Sequence, residues 1–259
     1  MKQVRTLILI AVIGVCVPGC QNVQDTDVEG ARKLKEPKPV KPVPPVDLDT
    51  DPALMGWWKF EEVAGTEAAD SSAYGRKGEL KEGLTFETDS VAGKVGKALR
   101  FDGKKDVVQI TGYKGVTGTK ARTLTAWIKT KRGRGEIMSW GADDAGEMWT
   151  FCFIRSRPGV TPNGGYFYMK PHVDDDKWYH VAAVVEDADL PNLHDHVTLY
   201  LNGEQAELDD IGLLDLWPIE TGAEIDVRIG RGFQGTIDEV RIYERALSEE
   251  EIEKIKNAK

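Results

Sequence analysis

The carboxylate of Asp238 lies in a stretch that otherwise has the pattern of a buried strand. Side chains alternate between the two faces over residues 236–243, which predicts that Asp238 shares a face with Val240 and Ile242. An ionised carboxylate that leaves water without a partner costs several kcal/mol, comparable to the whole stability of a domain. The pattern therefore predicts a positive partner for Asp238, and a bound cation is one candidate.

Aromatic rings and planar polar groups are the side chains that bind sugar rings. The candidates for this role are Trp140, Trp149, Tyr166, Tyr168 and Trp217, with Arg155 and Asn163 as polar partners. Trp217 stands beside Pro218 in the insertion LLDLWPIE, where we expect its ring to be exposed. The alternative for each ring is a place in the core, because aromatic side chains supply much of the buried area of a domain.

Strands must position these residues, because period-two patterns dominate the chain from Leu54 onward. Leu124, Ala126 and Ile128 alternate with more polar neighbours, as in a half-buried strand. The dipeptide Asn202-Gly203 is typical of a tight hairpin turn. One helix is expected, over residues 248–257. Its signals are a capping box formed by Ser248 and Glu251 and a hydrophobic staple formed by Leu247 and Ile252.

The order of these segments resembles that of the laminin-G-like jelly-roll family, within the concanavalin A-like lectin/glucanase superfamily. The resemblance rests on GWWKFEE (56–62), ADSSAYGRKGEL (69–80), GKALRFDG (96–103), RTLTAWIKT (122–130), WYHVAAVVED (178–187), VTLYLNGE (197–204) and VRIGRGFQGTIDEVRIY (227–243). It implies an all-β fold for residues 53–259, a two-sheet antiparallel jelly roll with a short C-terminal helix. It does not imply a substrate, because lectins, adhesion modules, hydrolases and lyases share this fold.

A structural calcium ion is a further implication of the resemblance. Matching the family's motifs residue by residue places it at Asp70, at backbone oxygens near Asp102 and Gly103, and at Asp238. Calcium takes six to eight oxygen ligands in a flexible geometry, which suits such a set. The alternative is that Asp70 caps its own turn and that Asp238 pairs with an arginine such as Arg100.

Enzymatic activity is not indicated, although one near-match exists. The segment EIDV (224–227) resembles the start of the catalytic strand motif of glycoside hydrolase family 16. Retaining hydrolysis needs two carboxyl groups about 5 to 5.5 Å apart. The position of the second carboxylate falls on Arg228 or Ile229, so no catalytic residue is predicted. A hydrolase or lyase on the same fold stays the alternative to a binding module.

The N-terminus has the features of a secretion signal. Lys2 and Arg5 precede an apolar run too short to span a membrane comfortably. The residues VPGC (17–20) resemble the lipobox of bacterial lipoproteins, which predicts a signal peptide over residues 1–20 and lipidation of Cys20. The alternative is an uncleaved anchor or an ordinary secretory signal. Residues 21–52, rich in proline and charge, are predicted to be a linker.

Charge and cysteine content narrow the possible partners. Two of the 34 basic residues lie in the signal, which leaves 32 against 43 acidic residues and a net charge of −11. Such a charge argues against nucleic acid and against binding to anionic lipid, and is compatible with neutral glycans or with cations. After lipidation of Cys20 only Cys152 remains, so no internal disulfide is possible.

Together these features predict a monomeric, lipid-anchored binding module for carbohydrate, outside the cytoplasm at the outer membrane or cell surface. Its membrane attachment is expected to be the N-terminal lipid, and its ligand a glycan or another cell-surface molecule. A protein-binding adhesion module is the other alternative.

Overall fold

The computed structural model describes residues 47–209 and 217–258. The chain divides into two units, Met1–Val43 and Pro44–Lys259, and every described residue belongs to the second. The predicted signal peptide, the predicted lipidation site at Cys20 and most of the predicted linker therefore lie outside the described residues. No helix in the described ranges is long and apolar enough to cross a membrane.

Short antiparallel strands dominate the fold, as the alternating patterns predict. In chain order the elements are β1 (Leu54–Trp58), β2 (Glu67–Ala68), β3 (Gly78–Lys81), α1 (Phe86–Asp89), β4 (Ser90–Ala92), β5 (Lys97–Asp102), β6 (Val107–Ile110), β7 (Arg122–Thr130), β8 (Glu136–Gly141), β9 (Met148–Ile154), β10 (Arg157–Thr161), β11 (Phe167–Met169), β12 (Trp178–Val185), α2 (Leu193–His196), β13 (Val197–Leu201), β14 (Glu204–Gln205), β15 (Leu208–Asp209), β16 (Ile225–Ile229), β17 (Gln234–Tyr243) and α3 (Glu249–Asn257).

The strands form two sheets that enclose one main core. Sheet A has the order β14-β13-β12-β7-β17-β5-β4, and β1 also pairs with β17. Sheet B has the order β15-β11-β10-β9-β8-β16-β6-β3-β2. The main core cluster takes residues from both sheets, such as Leu124 and Ile128 from sheet A and Trp140 and Phe151 from sheet B. The two-sheet antiparallel jelly-roll sandwich predicted from the sequence is confirmed.

The folded domain begins earlier than the predicted boundary at residue 53. Leu48 is buried in a second hydrophobic cluster on the outer face of sheet A. Asp49 pairs with Arg241 at 2.6 Å, and Asp51 pairs with Arg245 at 2.7 Å. These contacts fix the end of the predicted linker to the sandwich, so residues 47–52 belong to the domain.

A β-bulge in β17 changes the face to which Asp238 belongs. Glu239 has φ 52°, and the pairing of β17 with β7 shifts register between Asp238 and Arg241. Because of the extra residue, Val240 points into the core while Asp238 pairs with Trp127 on the outer face of sheet A. The prediction that Asp238 shares a face with Val240 is therefore wrong. The predicted burial is correct, since Asp238 is 0% exposed.

Helix α3 closes the fold and covers part of the outer face of sheet A. Ser248 and Glu251 form the predicted capping box. Leu247 and Ile252, the two residues of the predicted staple, are buried with Ile255 in the second cluster. The capping box and the staple were therefore sufficient to predict helix α3 from the sequence.

Loss of the cap should destabilise the whole domain, because α3 covers a buried cluster. We expect Ser248→Ala to lower the free energy of unfolding by about 1 kcal/mol. Urea unfolding followed by tryptophan fluorescence measures this difference. Ser71→Ala, at an exposed loop serine, is the control, and an equal loss in both variants would contradict the role of the cap.

Candidate functional site

A groove of about 370 Å³ crosses the outer face of sheet B over strands β8, β9 and β10. It is lined by Gly135, Glu136, Asp143, Met148, Thr150, Cys152, Phe153, Thr161, Asn163 and Arg231. Strand β9 supplies its floor through alternation: Trp149 and Phe151 enter the core, and Thr150 and Cys152 face outward. At about 3.3 Å per residue, β9 gives the groove a length of roughly 20 Å.

A row of polar residues crosses the sheet through the groove floor. Strand register brings together Gln109 of β6, Arg228 of β16, Ser139 of β8, Thr150 of β9 and Thr161 of β10. Residues paired in this way on neighbouring antiparallel strands share one face of the sheet. The outer face of sheet B is therefore polar along a line perpendicular to its strands.

Glu136 is fixed inside the groove by two partners. The Ser139 hydroxyl donates to Glu136 Oε2 at 2.6 Å, and Arg231 Nε donates to the same oxygen at 3.0 Å. Arg231 also contacts Glu136 Oε1, and the hydrogen bond to Glu136 raises the pKa of the Arg231 guanidinium. A carboxylate held in this way by a guanidinium is a structural group and is poorly suited to donate a proton.

Arg228 lies beside this pair with most of its donors free. Its only hydrogen bond within the described ranges runs from an Nη to Ser139 Oγ, at 3.3 Å. Its Nε is buried without a partner, and burial lowers the pKa of the guanidinium. Arg228 thus has a half-buried positive charge that forms no ion pair within the described ranges, although the carboxylates of Glu136 and Asp143 lie near enough to act on its pKa in the opposite direction.

Trp217 lies beside the end of the groove at Asn163, next to the lining residues but not among them, and half of its surface is exposed. A Cβ added at Gly164 would lie 2.5 Å from the Trp217 ring, so the ring packs directly against the backbone beside Asn163. The segment that follows Trp217 is fixed, because Glu220 N donates to Gly146 O and Gly222 N donates to Glu147 O. The ring therefore packs on Gly164, beside the end of the groove at Asn163.

Of the other four predicted aromatic residues, two lie in the core and two form a stacked pair at β11. Trp140 and Trp149 are 0% exposed and belong to the core, so their prediction as ligand-binding residues is wrong. Tyr166 and Tyr168 stack with ring centroids 6.4 Å apart. Tyr168 lies across Gly159 from Cys152 but is only 2% exposed.

The remaining predicted polar partners lie at the two ends of the groove. Arg155 is exposed in the turn between β9 and β10. Asn163 lines the other end, 3.5 Å from Asp143 Oδ1. The sequence did not indicate Glu136, Ser139 or Arg231, which come together only through strand register.

The predicted calcium ligands do not meet in one place. Both oxygens of Asp70 are occupied: Oδ1 accepts from Trp57 N and Ser72 N, and Oδ2 accepts from Ser72 Oγ and Arg76 N. These are the contacts of a carboxylate that caps its own turn. Asp70 also bridges to Trp58 of β1, on the side of β1 away from β17.

The adjacent residues Asp102 and Gly103 are also distant from Asp238. Asp102 pairs with Gln234, four residues or about 13 Å along β17 from Asp238. Its Oδ1 accepts from Lys104 N, and Gly103 O accepts from Arg134.

Asp238 is the one predicted calcium ligand with a buried free oxygen. Its Oδ2 accepts from Lys94 N at 2.8 Å and from Val95 N at 3.0 Å, while its Oδ1 has no hydrogen-bond partner among the described residues. The alternative partner Arg100 pairs instead with Asp89. Among the described residues, no group of three or more His, Cys, Asp or Glu side chains forms a metal site. The four-residue set does not fit one ion, and calcium binding stays a prediction.

Comparison with known families identifies the superfamily. The model of a laminin-G-like family, described as the concanavalin A-like lectin/glucanases superfamily, matches residues 102–253. The chain belongs to this superfamily. No curated protein matches the sequence of this superfamily member.

Solved structures share the fold of this superfamily member at low sequence identity. Domain 4 of AbnA, a GH43 extracellular arabinanase from Geobacillus stearothermophilus in complex with arabinotriose, has a TM-score of 0.57 and 18% identity, over 78% of this chain and 97% of that domain. The binding domain of Paraclostridial Mosquitocidal Protein 1 has a TM-score of 0.51 and 17% identity, over 79% of this chain and 52% of the other. The binding domain of botulinum neurotoxin DC, in complex with rat synaptotagmin II, has a TM-score of 0.50 and 12% identity, over 79% and 51%. This chain spans about half the length of the two toxin domains.

Proposed function

We propose that this protein binds carbohydrate in the groove on the outer face of sheet B. The observation that carries the proposal is a groove with a polar floor and the half-exposed ring of Trp217, which packs on Gly164 beside one end of it. An indole offers a flat apolar face to a sugar ring, and the hydroxyl and guanidinium groups of the polar row offer hydrogen bonds to sugar hydroxyls.

The solved structures support the proposal. Domain 4 of AbnA shares the fold over almost its whole length and was solved with a bound oligosaccharide, arabinotriose. The state of Glu136 favours binding over hydrolysis, because its carboxylate is held by Arg231 and Ser139.

Removal of the Trp217 ring should weaken binding without harming the fold. We expect Trp217→Ala to lower affinity for a bound polysaccharide at least about fivefold, because a stacked ring contributes about 1–3 kcal/mol in comparable contacts. Affinity electrophoresis in gels that contain arabinan, xylan or polygalacturonate measures the retardation. Tyr74→Ala, at a similarly exposed ring outside the groove, is the control. Equal retardation of the wild type and Trp217→Ala would refute the assignment of the groove.

We also propose that the protein is a lipoprotein, attached through Cys20 to a membrane outside the cytoplasm. The support is the sequence of residues 1–20, with its charged start, apolar run and VPGC ending. Metabolic labelling with palmitate tests it, with Cys20→Ser as the unlabelled variant. Label that persists in Cys20→Ser would overturn the proposal.

A further inference from the structure

We infer that the bound polysaccharide is acidic and that Arg228 recognises its carboxylate groups. The ligand class is thus a uronic acid polymer. This inference rests on the proposed function, since it takes the groove on sheet B to be the binding site.

The first argument is the state of the two guanidinium groups at the groove. Arg231 is already paired with Glu136, so its charge is compensated. Arg228 has no ion-pair partner within the described ranges, and its single hydrogen bond goes to a neutral hydroxyl. Buried charges in proteins are normally paired. The free donors of Arg228 therefore suit an anion that arrives with the ligand.

The second argument is the charge of the loops at the end of the groove opposite Trp217. Residues 129–134, with the sequence KTKRGR, contain four basic residues and no acidic one, in a chain whose net charge is −9. Arg132 is exposed and without an ion pair in the described part of the chain, and so is Arg155 on the adjoining turn. The two loops touch, since a Cβ at Gly133 would lie 2.4 Å from Ser156 O.

These features define a path for an anionic chain. A polymer that stacks on Trp217 and follows β9 would pass the Arg228 guanidinium one strand to the side, at Ser139 of β8, and then reach Arg132 and Arg155. The planar guanidinium fork matches the two oxygens of a carboxylate, and such charge-assisted bonds are roughly twice as strong as neutral ones. The acidic remainder of the surface repels a polyanion, so the basic end also directs the ligand into the groove.

The test compares polygalacturonate with its methyl ester, which has the same backbone but no charge. We expect the wild type to bind the free acid at least tenfold more tightly than the ester, measured by affinity electrophoresis at 150 mM salt. Arg228→Gln should weaken binding to the free acid far more than binding to the ester, and so reduce this preference. Arg100→Gln, which removes a surface charge paired with Asp89 on sheet A, is the charge-matched control and should behave as the wild type.

The outcomes separate the inference from the proposed function. If the acid and the ester bind equally well, and Trp217→Ala still loses binding, the inference of an acidic ligand would be wrong. The groove would remain a carbohydrate-binding site. A preference for the acid that is as large in Arg228→Gln as in the wild type would also overturn the inference. Binding of dextran sulfate that does not depend on Arg228 or Trp217 would indicate charge attraction alone and count against it. The absence of binding to any polysaccharide tested would defeat both proposals.

Discussion

Replacement of Arg122 by methionine is expected to lower the free energy of unfolding by about 3–5 kcal/mol. Arg122 is 0% exposed, and its guanidinium donates to four oxygens. The acceptors and their distances are Lys120 O at 3.0 Å, Val116 O at 2.8 Å, Gly118 O at 2.7 Å and Thr221 Oγ1 at 2.6 Å. Methionine fills a similar length but donates no hydrogen bond. Val116 O and Gly118 O would keep their bonds from Trp140 Nε1 and Thr221 N, but Lys120 O and Thr221 Oγ1 would lose their donor. Each buried polar group left without a partner costs about 1–3 kcal/mol.

The effect should extend to the groove, because Thr221 lies in the segment that holds Trp217. Gly118 and Thr221 also exchange backbone hydrogen bonds, so the loop before β7 and the segment after Trp217 are fixed to each other through Arg122. Urea unfolding of Arg122→Met measures the loss, and Arg122→Lys, which keeps the charge but fewer donors, should lose less. Arg100→Met is the exposed control. If Arg122→Met has the same free energy of unfolding as the wild type, the prediction is wrong, and solvent or repacking satisfies the acceptors of Arg122.

The sequence predicted those parts of the fold that depend on local pattern. Strand β7 places Leu124, Ala126 and Ile128 in the core as predicted, although its other face is buried as well. Asn202 and Gly203 both take positive φ in the predicted hairpin turn. The cap of α3 is formed by two residues three positions apart. In each case the determining contacts lie within a few residues, or follow directly from the period of the strand.

The candidate site depends on features that a local pattern does not contain. The bulge at Glu239 reverses the face of Asp238, and one inserted residue leaves no clear trace in the alternation of β17. Arg228 and Ser139 become neighbours through the pairing of β16 with β8, across 89 positions of sequence. Trp149 and Trp217 are equally aromatic in the sequence, and only the packing of the two sheets decides that one is core and the other exposed.

The effect of Asp238 on stability should depend strongly on pH. Burial raises the pKa of its carboxyl from 3.8 to about 7, although the amides of Lys94 and Val95 act in the opposite direction. The folded state therefore holds the proton more tightly than the unfolded state between about pH 4 and pH 7. This contribution to stability is fully present below the unfolded pKa and is lost as the pH rises through 7. A shift of this size corresponds to roughly 4 kcal/mol.

Asp238→Asn keeps an oxygen for the two amides and removes the buried charge. In buffer with a metal chelator, we expect the variant to exceed the wild type in unfolding free energy by about 2–4 kcal/mol at pH 8.5 and by almost nothing at pH 4. The contribution of His180 to stability depends on pH in the opposite direction, because burial lowers the pKa of its imidazole to about 3. His180 is present in both proteins, so its contribution cancels in the difference. Urea unfolding at the two pH values gives the result, and a difference that does not change with pH would contradict it.

Addition of calcium to the same pair of proteins tests the predicted ion at Asp238. A cation on the free Oδ1 would hold the carboxylate ionised and replace the cost of its burial with a favourable interaction. Calcium chloride at pH 8.5 should then raise the unfolding temperature of the wild type, and leave Asp238→Asn unchanged, by mass action on the folded state. If calcium affects neither protein, Asp238 holds no calcium. In that case the amides of Lys94 and Val95 are the contacts that stabilise the carboxylate, and protonation is what neutralises its charge.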